Sequence, residues 1–145
     1  ATLLVMALLA LGLVQWLYRG RGPLIGRWRV LEQIAAQVNQ VTSPHGLLFA
    51  NELVYFAARR LPPAGLENSY TYELKLASEA ARSLGIVPRQ QIDRWVKEGR
   101  FDTVYVCGAE VVETWGLPRL YASHARYPAA NPAWDCYVFW DKRSA

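Results

Sequence analysis

Asp102-Thr103-Val104-Tyr105-Val106-Cys107 (residues 102–107) is a β-branched and aromatic run with no glycine or proline inside it, the composition of a strand. Cys136-Tyr137-Val138-Phe139-Trp140 (136–140) is apolar at both odd and even positions, so it is expected to be a strand covered on both faces. Upstream, the turn cluster Thr42-Ser43-Pro44-His45-Gly46 leads into Leu47-Leu48-Phe49-Ala50, a short apolar run of the kind a buried strand shows. Helical patterns fill the spaces between these runs. Helices alternating with few, short, buried strands predict an α/β fold, a small layered domain with a short, few-stranded sheet.

The helices follow from periodicity and punctuation. Residues 27–41 place Leu31, Ile34, Ala35, Val38 and Val41 on one face of an amphipathic helix. Asn51 is positioned to cap a second helix that carries Arg59 and Arg60 in its last turn, and Pro62-Pro63 forbids continuation. Ser69 or Thr71 can cap a third, running through Leu74, Ala77, Ala81 and Leu84 to Gly85. Pro88 opens a fourth, with Ile92, Trp95 and Val96 on one side and Gly99 as its stop. Val111, Val112 and Trp115 make a short helical turn before Gly116-Leu117-Pro118. The expected core joins Leu48, Phe49, Val104, Val106, Val138 and Trp140 in one sheet, packed under Ile34, Val38, Ile92 and Trp95.

The amino-terminal end has a different composition. Residues 1–18, ATLLVMALLALGLVQWLY, carry no charge. As a helix with ~1.5 Å rise they would cover about 27 Å, close to the ~30 Å hydrocarbon core of a bilayer. Trp16 and Tyr18 sit where amphipathic rings meet headgroups, and Arg19 and Arg21 follow. Gly20, Gly22 and Pro23 end the helix. A secretory signal would carry its basic cluster before the apolar run and a small-residue cleavage site after it, the reverse of this order; a buried core helix is the plain rival. The organisation expected is therefore a transmembrane helix in residues 1–22, the end of a longer span if the chain is excised as Ala1 in place of Met suggests, and a small α/β soluble domain in residues 23–145.

Charge follows the same division. The formal net charge is +4, and Arg19, Arg21, Arg27 and Arg29 are the only charges before residue 30, leaving 12 basic and 12 acidic residues beyond. A nucleic-acid surface needs its excess cations on the folded body, so nucleic acid is excluded as a partner. The cations instead border the apolar run. Lipid or phosphate contact is expected from Arg19, Arg21, Arg27, Arg29, Arg59 and Arg60, with Trp16, Tyr18 and Trp28 at the membrane interface.

Catalytic patterns are sparse. His45, Cys107, His124 and Cys136 lack the close ligand pairs of a zinc site, and no glycine-rich phosphate loop or assignable nucleophile–base pair occurs, so no metal, cofactor or catalytic residue is implied. Glu52, Glu110 and Glu113 follow predicted strands, where α/β proteins often place functional groups, but solvated first-turn carboxylates favoured by the helix dipole are the stronger reading. Two buried free thiols are the default reading of Cys107 and Cys136; because Cys107 ends one predicted strand and Cys136 starts another, antiparallel pairing would set them opposite each other, which makes a disulfide the alternative.

Several segments together carry a resemblance. The apolar run before the domain, "QVNQVTSPHGLLFANE", "YFAARRLPP", "IDRWVKEGRFDTVYV" and the closing "YVFWDKR" occur in an order similar to the extracytoplasmic C-terminal part of multi-span glycosyltransferases that take sugar from a polyprenyl-phosphate donor. That superfamily includes the protein O-mannosyltransferases and the lipid A aminoarabinose transferases. The resemblance covers most of residues 1–143. The family's catalytic acid lies in a loop after its first span, and no such loop occurs here. The resemblance therefore implies a membrane-anchored, non-catalytic C-terminal domain, facing away from the cytoplasm, with the bilayer, neighbouring membrane helices and a polyprenyl-phosphate lipid as partners. The arginines after the apolar run point the other way, to a cytoplasmic domain, under the positive-inside tendency. The rival reading is a single-span accessory or structural subunit of a larger membrane protein complex.

Overall fold

The structure, a computed structural model, describes residues 27–68 and 76–143. The transmembrane helix expected in residues 1–22 lies outside the described residues, and among those described no helix is long and apolar enough to cross a membrane. Helix α1 occupies residues 27–41, followed by β1 (Leu48–Phe49), α2 (Glu52–Ala58), α3 (Ser78–Ser83), α4 (Arg89–Lys97), β2 (Thr103–Cys107), α5 (Ala109–Trp115), α6 (Leu117–Leu120), β3 (Tyr121–Tyr127), a 3-10 turn at Pro132–Trp134, and β4 (Cys136–Lys142).

The strands form one sheet in the order β1-β2-β4-β3. β1 runs parallel to β2, with Leu48 beside Thr103 and Phe49 beside Val104, while β4 is antiparallel to both β2 and β3. Alternation along each strand then sorts side chains to two sides. Phe49, Val104, Val106 and Phe139 join Ile92, Val96, Phe101 and Trp115 on one face. Leu48, Tyr105 and Val138 join Ile34, Val38, Val54 and Tyr55 on the other. The result is three layers, with α1 and α2 over one face and α4 to α6 over the opposite one. Of the helix residues expected over the sheet, Ile34 and Val38 pack on one face and Ile92 and Trp95 on the other, because β1 and β2 are buried on both faces and each face needs its own helices.

β1 is an edge strand of two residues, and its exposed backbone groups are handled by side chains. The Asp102 carboxylate accepts the Leu47 N–H at 2.8 Å, extending the parallel ladder by one position. On the other edge the Tyr55 phenol donates to the Leu48 carbonyl at 2.6 Å and accepts from the Ala50 N–H at 3.2 Å. An unpaired strand edge is a template for aggregation, and α2 closes this one with a single hydroxyl.

α2 begins as its sequence predicts, with Asn51 Oδ1 accepting the Val54 N–H at 3.0 Å. It ends one residue before Arg59, which adopts the left-handed conformation at φ 54°, so Arg59 and Arg60 lie past the last turn rather than in it. α4 follows Pro88 and stops before Gly99, also as its punctuation requires. β3 is a strand where no strand pattern was evident. Its sequence, YASHARY, holds no β-branched residue and is half-exposed along its length, because it sits at the second edge of the sheet.

Candidate functional site

Four of the nine membrane-site candidates, Trp16, Tyr18, Arg19 and Arg21, lie outside the described residues. Arg27, Trp28 and Arg29 occupy the first turn of α1 as described, and all three are exposed, Trp28 at 46%. The packing of α1 against the sheet starts later, at Leu31 and Ile34. The helix therefore reaches beyond the domain body, carrying two cations and an indole around its end.

The two remaining arginines diverge. Arg59 is exposed. Arg60 turns inward: its Nε donates to Asn39 Oδ1 at 2.9 Å, its Nη1 to the Ser43 carbonyl at 2.9 Å and its Nη2 to the Thr42 carbonyl at 2.7 Å. The last carbonyls of a helix lack intrahelical donors and carry partial negative charge, so a guanidinium there closes the end of α1. Asn39 Nδ2 adds a bond to the Ala58 carbonyl at 3.1 Å, fixing the C-terminal ends of α1 and α2 to each other. Arg60 is thus a clamp between two helices, with its Nε, Nη1 and Nη2 each donating to the chain itself. The sequence signal for this was the turn cluster at 42–46, which ends α1 and needs a donor.

The carboxylates considered for chemistry do not converge. Glu52 is in the first turn of α2, in one layer, and Glu110 and Glu113 are on the exposed side of α5, in the opposite one. Glu113 borders an open cleft of about 530 Å³ with Lys97, Arg119 and Pro118, and a second cleft of about 310 Å³ runs between α3 and α4 past Arg82, Gln90, Arg94 and Trp95. His45 is exposed in the turn after α1; His124, on β3, stacks on Phe139 with centroids 5.4 Å apart. Among the described residues no group of three or more His, Cys, Asp or Glu side chains could hold a metal ion.

Cys107 and Cys136 are register partners across β2 and β4 and form a disulfide. It closes beside Gly108, whose φ of 97° lets the chain leave β2 for α5 and whose N–H donates to the Asp135 carbonyl at 2.9 Å. The Tyr105 hydroxyl lies 3.1 Å from Cys107 Sγ.

Next to the disulfide is a polar lock that the sequence reading missed. Asp135, 1% exposed, accepts from the Ala129 N–H at 2.8 Å through Oδ1 and from Arg126 Nε at 2.7 Å through Oδ2. Together these bonds pin the 128–135 connection onto β3. The only hint was an acid beside an apolar strand, a weak signal because most such acids face water. The Ala129 N–H and then Arg126 hold the Asp135 carboxyl below the usual carboxylate range against the opposing effect of burial, and the same pair raises Arg126. A folded-state value below the unfolded one means stability that is present above the unfolded value, about 3.9, and is lost as pH falls through the folded one. Acid titration of the melting transition should therefore show Asp135→Asn less stable than wild type at neutral pH, with the gap narrowing from about pH 5 to about pH 2. A gap independent of pH would show that Asp135 acts only by shape.

No protein-family model, curated protein or solved structure matches the chain.

Proposed function

We propose that this chain is the membrane-anchored, non-catalytic C-terminal domain of a glycosyltransferase that uses a lipid-linked sugar donor, held on the extracytoplasmic side. The observation that carries the reading is the first described turn of α1: Arg27, Trp28 and Arg29 are exposed there, separated by residues 19–26 from the charge-free run 1–18 and lying beyond Arg19 and Arg21. Cations and an indole at that position belong at a lipid–water boundary, where each Lys or Arg near an anionic surface contributes about 1 kcal/mol. The segment order similar to polyprenyl-phosphate-dependent transferases supplies the enzyme class. Sidedness is supported by the Cys107–Cys136 disulfide, since such bonds persist in oxidising compartments and are rare in the cytosol. This weighs against the positive-inside tendency of the arginines, which earlier spans of a multi-span protein can override.

In this reading the domain covers or docks against the membrane face of the transferase and the reaction occurs elsewhere. The separation of Glu52 from Glu110 and Glu113 agrees with such a role.

The anchor is tested by flotation with vesicles and resistance to alkaline extraction. Wild type should stay with the membrane, and Leu9→Arg, at a cost of about 2.5–3.5 kcal/mol at mid-span on insertion scales, should shift it to the soluble fraction. A wild-type chain released by alkali would end the anchored reading. Activity is tested by giving the purified chain a polyprenyl-phosphate sugar and an acceptor. No turnover is expected, and turnover abolished by replacing Glu52, Glu110 or Glu113 would overturn the non-catalytic role.

A further inference from the structure

α2 is apolar on both sides. Val54, Tyr55 and Ala58 are buried against α1 and the sheet, while Leu53 is 54% and Phe56 73% exposed; just past the helix, Leu61 is 93% exposed. A surface helix in water ordinarily shows a polar outer face, and one that is apolar all round has something covering it. Leu53 and Phe56, at three-residue spacing, lie along one ridge of α2, and Arg59 is exposed just past its end.

We infer that this ridge, with Leu61 beyond it, is a lipid-contact surface that rests on the headgroup–acyl boundary of an anionic bilayer. The inference rests on the membrane-anchored reading above and adds how the domain lies: on its α1/α2 layer rather than standing away from the membrane.

Charge selects the occupant. Besides its apolar side chains, the exposed part of this layer carries Arg27, Arg29 and Arg59 against Glu32, a composition complementary to anionic headgroups over hydrocarbon. The opposite layer exposes Leu76 and Leu84 at the two ends of α3, but its longer helices differ from α2. On α4 and α5 no large apolar side chain is exposed, and Arg94, Lys97, Glu110 and Glu113 mix both signs. Geometry permits the contact as well. The chain reverses once between α1 and β1 and again between β1 and α2, so α1 and α2 run side by side in the same direction, joined at their C-terminal ends through Asn39 and Arg60. A surface laid along α2 thus also runs along α1, toward Trp28.

The test uses the full chain in phosphatidylcholine vesicles with and without phosphatidylglycerol. Because Cys107 and Cys136 are joined, Phe56→Cys presents one reactive thiol for an environment-sensitive fluorophore, and Glu98→Cys, exposed at the end of α4, is the control. The fluorophore at position 56 should be quenched by nitroxide-bearing lipid and several-fold less accessible to iodide than that at position 98, more so with phosphatidylglycerol. Arg59→Gln should weaken the dependence on phosphatidylglycerol at position 56, the remainder belonging to Arg27 and Arg29. Equal iodide quenching at both positions overturns the inference. So does a position 56 shielded from iodide yet untouched by nitroxide lipid, which marks a protein partner. Flotation reads the anchor separately: a chain that floats with a wet position 56 loses only the lipid contact, and a chain that does not float loses both.

Discussion

Phe49→Ala should unfold the domain or bring it to the edge of unfolding, while Trp140→Ala should leave it folded. Both are aromatic residues on predicted strands, so sequence reasoning treats them alike. The structure separates them. Phe49 is 2% exposed, and its ring meets Phe101 at 5.3 Å and Trp115 at 5.4 Å between centroids. It is the point where β1, Phe101 two residues before β2, and α5 come together. Removing a buried phenylalanine loses its transfer free energy and leaves a cavity that two rigid rings and a backbone edge cannot easily fill, a loss of about 3–5 kcal/mol. That is a large fraction of the 5–15 kcal/mol by which domains are typically stable. Trp140 packs at the margin of the second core, half-buried, where α1 and α2 do not reach fully across β4 and β3. Half of a full burial corresponds to roughly 1–2 kcal/mol. Urea denaturation of the two variants, followed by near-ultraviolet circular dichroism, measures the difference. Equal losses would mean that the two faces of the sheet are not covered as described.

The contrast also indicates which parts of the fold were legible in the sequence. β1, β2 and β4 were readable because each buries both faces, and a strand with no polar side is an unbroken apolar run: Leu48-Phe49, Val104-Tyr105-Val106, Val138-Phe139. Helix starts were readable where a side chain or a proline performs a backbone task, as at Asn51 and Pro88. β3 was not readable. Ser123, His124 and Arg126 alternate weakly with small or aromatic residues because an edge strand gains its place from the Ala125↔Val138 and Arg126↔Tyr137 register with β4, a long-range contact invisible to local pattern. Which face each helix covers was equally hidden, since an amphipathic helix declares that it has a buried side but not what lies under it.

The site was legible in a more limited way. Arg27, Trp28 and Arg29 read as a boundary from position alone, and the structure leaves them exposed at the start of the described part of α1. Arg59 and Arg60 read as a pair, yet neighbouring residues past a left-handed cap point in different directions, and only the turn at Thr42 and Ser43 gives Arg60 its three acceptors. The exposed apolar ridge of α2 was present as Leu53-Val54-Tyr55-Phe56-Ala57-Ala58, six apolar residues in a row. Such a run reads as burial, and nothing local says that half of it is covered by protein and half is not.

Breaking the Cys107–Cys136 bond should cost about 3–4 kcal/mol without changing the topology. The two cysteines are separated by 29 positions, and the intervening chain contains α5, α6, β3 and the Pro132–Trp134 turn. In the chain-entropy picture, closing a loop of that length removes about 3.6 kcal/mol of freedom from the unfolded state at 25 °C. The native state loses less from reduction, because Val104↔Phe139, Tyr105↔Val138 and Val106↔Tyr137 still hold β2 against β4, and Asp135 still pins the connection through Ala129 and Arg126. A Cys107→Ala/Cys136→Ala chain should therefore keep the wild-type circular dichroism spectrum and unfold at a clearly lower urea concentration. Wild type treated with reductant should move to the same midpoint. A midpoint unmoved by either treatment would refute the stabilising role, and a native spectrum lost at zero urea would show that the strand register depends on the bond. The first result carries a consequence for placement. A domain with 3–4 kcal/mol of its stability in one disulfide retains that margin only where thiols stay oxidised, so the reductant-sensitive midpoint would favour the extracytoplasmic side over the side indicated by the arginines after residue 18.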